Sequence, residues 1–270
     1  MKLRSSLFYI KLFGVVFLVS IPEEGPRYYL SVMTEWFKRQ YIPFQTHKPT
    51  VVDYSIIITP QNTIDYVDER SITYLPFANW HTEKNSVEVP FHISQAQFEL
   101  IIKKILFEKM SSNYFFIHGS AVADSQGGAI FLGKSGAGKS TISKQLSCSK
   151  NMRKISDDII GIRIIHDTFF LTQTPFIETH WEYIRSDAEV PLTAIYLLKK
   201  ADTFSISKPL SAARTFELLI EQSIMMTKSV EKSSLGRIKS LANKIPINIL
   251  SFSLDTRSTL AGYRKARQQL

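Results

Sequence analysis

A single cysteine, Cys148, stands among 270 residues, so no disulfide can close within the chain and no cysteine zinc site can form from it alone. A reducing compartment, the cytoplasm, is the expected setting. Glycine and proline are scarce at 11 each, which excludes collagen-like and low-complexity chains. The apolar run at residues 12–19 follows Lys11 and falls far short of the ~20 residues of a membrane span. Lys2 and Arg4 ahead of it imitate the basic start of a signal peptide, but no small-residue cleavage signal follows, so a core strand without stable membrane insertion is expected. Zinc-finger, homeodomain and aromatic RNA-binding patterns are missing too, which disfavours nucleic acid as a partner. His47, His81, His92 and His180 show no metal-ligand spacing.

Acidic residues are in deficit, 24 against 33 basic, for a formal net charge of +9. Most of the excess lies in residues 200–270, which hold 12 basic and 5 acidic side chains. Such a field steers polyanions, acidic partners or nucleotide phosphates, although a solvated basic helix surface is the plainer reading. With 44% hydrophobic residues the chain can build one large domain, or a large one carrying a small partner.

Residues 7–20, rich in Phe, Ile, Leu and Val, read as one strand, broken by the turn residues 21–26. Residues 28–41 read as a short helix or irregular bridge, and 51–58, with five β-branched residues, as a strand. No phosphate or metal motif appears in this part, so 1–92 is expected to be a small strand-rich N-terminal part and 93–270 the main domain. Ser94 followed by Gln97 is a capping box, and Phe98, Ile101, Ile102 and Ile105 form the stripe of the helix behind it. Strands are then expected at 115–122 and 129–132, a hairpin at 159–171 turning on His166–Asp167, and a strand at 191–198. A helix at 211–226, one further helix, a strand at 249–254 and a basic terminal helix complete an α/β pattern. Trp36, Trp80 and Trp181 read as core or interface, Met225 and Met226 as helix packing. Arg185, Lys199 and Arg214 read as surface charges with phosphate contact as the alternative.

The strongest signal is Gly133-Lys-Ser-Gly-Ala-Gly-Lys-Ser-Thr141, which fits the phosphate-loop pattern of two glycines five apart followed by Lys and Ser. Gly133, Ser135, Gly136, Ala137, Gly138, Lys139, Ser140 and Thr141 are the expected nucleotide-binding residues. Small residues let the backbone curl so that amides face phosphate oxygens at the positive end of the next helix. Lys139 is expected at the β and γ phosphates and Ser140 at magnesium. Downstream, Asp157 and Asp158 stand one helix and a turn beyond Lys139, so a carboxylate can face the metal, and a second can accept a substrate proton. Met152 to Ile155 is poorly apolar for a conventional lead-in to such acids. His118 ends an apolar strand; it is either a satisfied edge residue or an imidazole serving the base carboxylate.

The order of these features, a strand with His118–Gly119–Ser120, the loop at 133–141, then Ser156–Asp157–Asp158, resembles the HPr kinase/phosphorylase family and, more broadly, shorter relatives such as lasso-peptide precursor serine kinases. The resemblance implies a phosphoenolpyruvate-carboxykinase-like P-loop nucleotide-binding fold and transfer of the γ-phosphate of ATP to a serine hydroxyl of a peptide or small protein. It implies Asp157 as the base, Asp158 as a magnesium ligand with Ser140, and His118 as the family histidine. The expected cofactors are ATP and Mg2+, the expected partner a peptide or small-protein phosphoacceptor, with room for a homo-oligomer. Alternatives are an ATPase or nucleotide-gated interaction protein without an acceptor, and a small-molecule kinase.

Overall fold

The computed structural model of the protein describes residues 5–23, 27–59, 78–110, 113–176, 189–224 and 228–267. Its mixed α/β chain divides into two units, Met1–Ser111 with Pro175–Ile177, and Ser112–Thr174 with Glu178–Leu270. The division falls one helix after the 92/93 boundary read from the sequence. His180, Trp181, Arg185, Met225 and Met226 lie outside the described residues.

In the first unit, β1 (Ser5–Leu12) and β2 (Val15–Pro22) pair antiparallel from Leu12 opposite Val15 outwards. The single strand expected over 7–20 is therefore a hairpin. Phe13 and Gly14 take φ of 51° and 84°, the two positive values a type I′ turn needs, and a phenylalanine in that corner masks the turn. Next come α1 (Arg27–Tyr41), β3 (Tyr54–Thr59), β4 (Asn79–His81), β5 (Ser86–Pro90) and α2 (Gln95–Lys109). The sheet order is β1-β2-β3-β5-β4, parallel at β2/β3 and β3/β5. Val15, Phe17, Val19 and Ile21 are buried at the period of a half-buried strand, so the run at 12–19 packs as sheet core. No helix among the described residues is long and apolar enough to cross a membrane. Trp36, Phe37, Tyr41 and Phe98 join α1 to α2 through ring contacts, with Trp36 edge-on to Phe98 at 5.3 Å. The capping box forms: the Gln97 amide donates to Ser94 Oγ at 3.2 Å, and the Ser94 amide to Gln97 Oε1 at 2.9 Å.

The second unit holds β6 (Tyr114–Asp124), β7 (Gly127–Leu132), α3 (Lys139–Ser147), β8 (Arg153–Ile165), β9 (Thr168–Thr172), β10 (Val190–Lys200) and β11 (Ser205–Pro209). It continues with α4 (Ala212–Gln222), β12 (Ser223–Ile224), α5 (Lys228–Lys244), β13 (Ile247–Phe252) and α6 (Thr256–Arg267). The helix expected to reach 226 stops at Gln222 because Ser223 turns extended, with φ −73° and ψ 137°, and joins β6 as an antiparallel strand. The sheet runs β11-β13-β10-β7-β6-β8-β9, and β9 also pairs β10, so five of its strands form a closed ring. β7 shows why both sheet faces are covered. Ile130 and Leu132 enter one core with Leu219 of α4 and Leu241 of α5, whereas Phe131 enters the other with Ile142 of α3 and Tyr263 of α6. An apolar strand buried on both faces is what a sheet covered on both sides requires.

Candidate active site

The phosphate loop leaves the carboxyl end of β7, beside its parallel neighbour β10, and opens α3, where α/β sheets expose their binding crevices. Two glycines are needed for distinct reasons. Gly133 has φ 153°, and a Cβ there would come within 2.7 Å of the Ala137 Cβ. Gly138, with φ 98°, is the N-cap of α3, and a Cβ would meet the Phe252 ring at 2.7 Å. Between them the Ala137 amide donates to Lys134 O at 3.0 Å. Lys139 Nζ folds back on the loop, donating to Gly133 O at 2.9 Å. Burial holds the Lys139 ammonium below its ordinary pKa, and the Asp158 and Asp157 carboxylates oppose that shift. Ser120 Oγ on β6 donates to Lys139 O at 2.7 Å, anchoring the first residue of α3 to the neighbouring strand. Ser135 and Thr141 are exposed.

The acids lie within strand β8, not in a turn, and face β6: Ser120 is opposite Asp157 and Gly119 opposite Asp158. Asp157 is buried. Ser140 Oγ donates to its Oδ1 at 3.0 Å, and Lys154 Nζ donates to its Oδ2 at 2.7 Å. The side chains of Lys154 and Asp157 are 8% and 7% exposed. Asp158 differs in every respect: its side chain is 63% exposed, its φ is +83°, and its Oδ1 lies 3.5 Å from His118 Nε2. Neighbours in a regular strand point to opposite faces. The positive φ at Asp158 breaks that rule, and both carboxylates reach groups of one site. Such a backbone conformation in a non-glycine residue within a strand costs about 1–3 kcal/mol.

Lys154 is the residue that the sequence reading passed over. Spaced three from Asp157, it should sit on the other face of a regular strand. The β6–β8 register shifts between Ala121 and Val122, where Ser156 and Lys154 are the successive partners, so Ile155 is an extra residue, a bulge that brings Lys154 round to the side of Asp157. The poorly apolar lead-in to the acids thus carries a buried cation into the site. A second group without a local signal is the segment 221–224. Ser223 pairs Ile117, and residues 221–224 line a cleft of about 530 Å³ together with His118 and loop residues 133–135.

Ser140 Oγ and Asp157 Oδ1 are hard oxygen donors within one hydrogen bond of each other. This sparse set suits magnesium, which keeps waters and takes the rest of its ligands from phosphates. Among the described residues no cluster of three or more His, Cys, Asp or Glu could hold a metal. The structure therefore brings Ser140 to Asp157, whereas the resemblance paired it with Asp158, and it brings His118 to Asp158.

No protein-family model matches the chain, and no curated protein does. Among solved structures, the HPr(Ser) kinase/phosphatase from Coxiella burnetii is similar at a TM-score of 0.34 and 13% identity, covering 57% of this chain and 97% of that one.

Proposed function

We propose that the protein is an ATP-dependent kinase that transfers the γ-phosphate to a serine hydroxyl of a peptide or small protein. The observation that carries this reading is the contrast between the two acids: one buried against the loop serine, the other exposed beside His118 at the cleft. A nucleotide hydrolase needs the first and a group to place a water; a kinase also uses an acid that takes the acceptor's proton. The choice of serine and of a peptide rests on the sequence resemblance.

The loop amides and the α3 N-terminus hold the phosphates, and Lys139 balances their charge. Ser140 and Asp157 hold magnesium, which when bound neutralises charge on the phosphate oxygens. Asp158 accepts the proton from the acceptor hydroxyl. The freed oxygen forms a bond to the γ-phosphorus as the bond to the β–γ bridging oxygen breaks, and ADP leaves with that electron pair. His118 orients the Asp158 carboxylate. These assignments exchange the two aspartates relative to the roles implied by the resemblance, because burial and the Ser140 bond fit Asp157 to a fixed ligand while exposure fits Asp158 to an incoming group.

The test is incubation with labelled ATP and candidate acceptor peptides, followed by mass analysis. Asp158→Asn is expected to keep Mg·ATP binding and lose about 10²–10⁴-fold in transfer, with Asp157→Asn losing Mg-dependent nucleotide affinity. The reverse pattern would restore the roles implied by the resemblance. Label recovered only as free phosphate would replace the kinase with an ATPase.

A further inference from the structure

Asp157 is a buried carboxylate with two jobs to reconcile. It must carry a counter-charge inside the fold, because an unpaired buried anion is costly, and it must present an oxygen beside Ser140. The bulge at Ile155 meets the first requirement with the chain's own cation: Lys154 Nζ lies 2.7 Å from Oδ2, leaving Oδ1 to accept from Ser140 Oγ at 3.0 Å. The same cation raises the cost of bringing a divalent ion to that carboxylate, since like charges repel strongly where water is excluded. A nucleotide's phosphates reverse the balance, bringing several negative charges and their own oxygen ligands to the loop beside it.

We propose that Lys154 is a positioning residue that holds the place of the metal's charge at Asp157, so that the site takes a divalent cation together with nucleotide phosphates and not by itself. This rests on the nucleotide reading of the phosphate loop. The side chain never touches the reacting atoms; it aims and neutralises the carboxylate that does the binding.

The experiment follows Mn2+ binding to the full chain by electron paramagnetic resonance, with and without ATP, alongside melting curves in EDTA and in Mg2+. The wild type is expected to bind Mn2+ saturably only with ATP, and to show no melting shift with Mg2+ alone. Lys154→Met removes the charge at similar length. It is expected to melt below the wild type in EDTA, to bind Mn2+ alone at least about tenfold more tightly, and to regain melting temperature with Mg2+ alone. Lys154→Arg keeps the charge and should behave as the wild type, an outcome that mere packing at position 154 does not predict. A wild type that binds Mn2+ equally well without ATP, or a Lys154→Met that binds it no better, overturns the proposal. Should Lys154→Met fail to fold, the wild-type measurement decides, and Lys154→Gln repeats the charge removal with a donor retained. ATP binding indifferent to EDTA also overturns it, because Lys154 would then replace the ion instead of holding its place. Absence of any Mg·ATP binding by the wild type sinks the nucleotide reading itself; normal ATP binding with contrary metal behaviour sinks only the role of Lys154.

Discussion

The two halves of strand β8 obey different rules. From Ile159 to Ile165 the strand is regular: Ile159 to Arg163 pair in step with β6, Ile160 and Ile162 are fully buried, and His166 and Asp167, at φ 44° and 64°, turn it into β9. From Arg153 to Asp158 the same strand carries a bulge, a buried ion pair and an aspartate at positive φ. Apolar alternation makes the sheet in one half. In the other, the bulge brings Lys154 to Asp157, which accepts from Ser140, and the positive φ accompanies an Asp158 that lies beside His118. The regular half stabilises what the irregular half strains, and substitutions in the two halves should part along that line.

The largest effect belongs to the irregular half and should leave stability nearly untouched. Asp158→Asn is expected to lose about 10²–10⁴-fold in phosphate transfer with little change in melting temperature, since the side chain is mostly exposed. Ile160→Ala inverts the pattern. Ile160 is completely buried in the core shared with Ile117, Ile130 and Leu171, so truncation should cost about 3–4 kcal/mol in urea unfolding while transfer per folded molecule stays near wild type. A large loss of transfer by folded Ile160→Ala would show that the regular half shapes the site directly.

What was legible in the sequence follows the same division. The phosphate loop, the Ser94 capping box and the His166–Asp167 turn are written in a few consecutive residues, because their hydrogen bonds close within one turn of chain. The site's remainder depends on pairing between distant segments. Lys154 reaches Asp157 only because β6 skips Ile155. Which of Asp157 and Asp158 meets Ser140, and so the roles proposed for them, is a matter of register. The cleft wall at 221–224 exists because Ser223 meets Ile117 across more than a hundred residues. Phe13–Gly14 was missed for a smaller reason, a turn whose first corner is held by an aromatic residue.

A second ion pair, between buried Arg267 and half-buried Asp124, lies outside the site. Arg267 of α6 donates to both Asp124 oxygens, at 3.1 and 2.9 Å, and to Thr193 Oγ1 at 2.9 Å. Burial alone would raise the Asp124 pKa, but the Arg267 and Gln126 hydrogen bonds outweigh it and hold the carboxyl below its ordinary 3.8. The folded protein thus binds fewer protons than the unfolded chain as pH drops through the carboxylate range. This contribution is complete above the unfolded pKa and is lost as pH falls through the lower folded value. Asp124→Asn should therefore cost about 2 kcal/mol at neutral pH, and its urea midpoints should draw toward those of the wild type as pH falls below the carboxylate range of the unfolded chain. Parallel curves would mean that the pair carries no proton linkage.

The smallest expected effect isolates the strain itself. Asp158→Ala and Asp158→Gly both delete the carboxylate and its approach to His118, so both lose transfer, and the difference between them reports only the Cβ at φ +83°. Glycine adopts that region without steric penalty, whereas a Cβ costs about 1 kcal/mol or more there. The glycine variant should therefore be the more stable of the two by about 1 kcal/mol in urea. At Ile164, in the regular half, the same Ala-to-Gly step should destabilise by about 0.5–1 kcal/mol, because extended backbone gains nothing from glycine and loses chain entropy. One strand would then give opposite signs for one chemical change. Equal signs would mean that Asp158 stores no backbone strain and that its orientation toward His118 comes from its side chain alone.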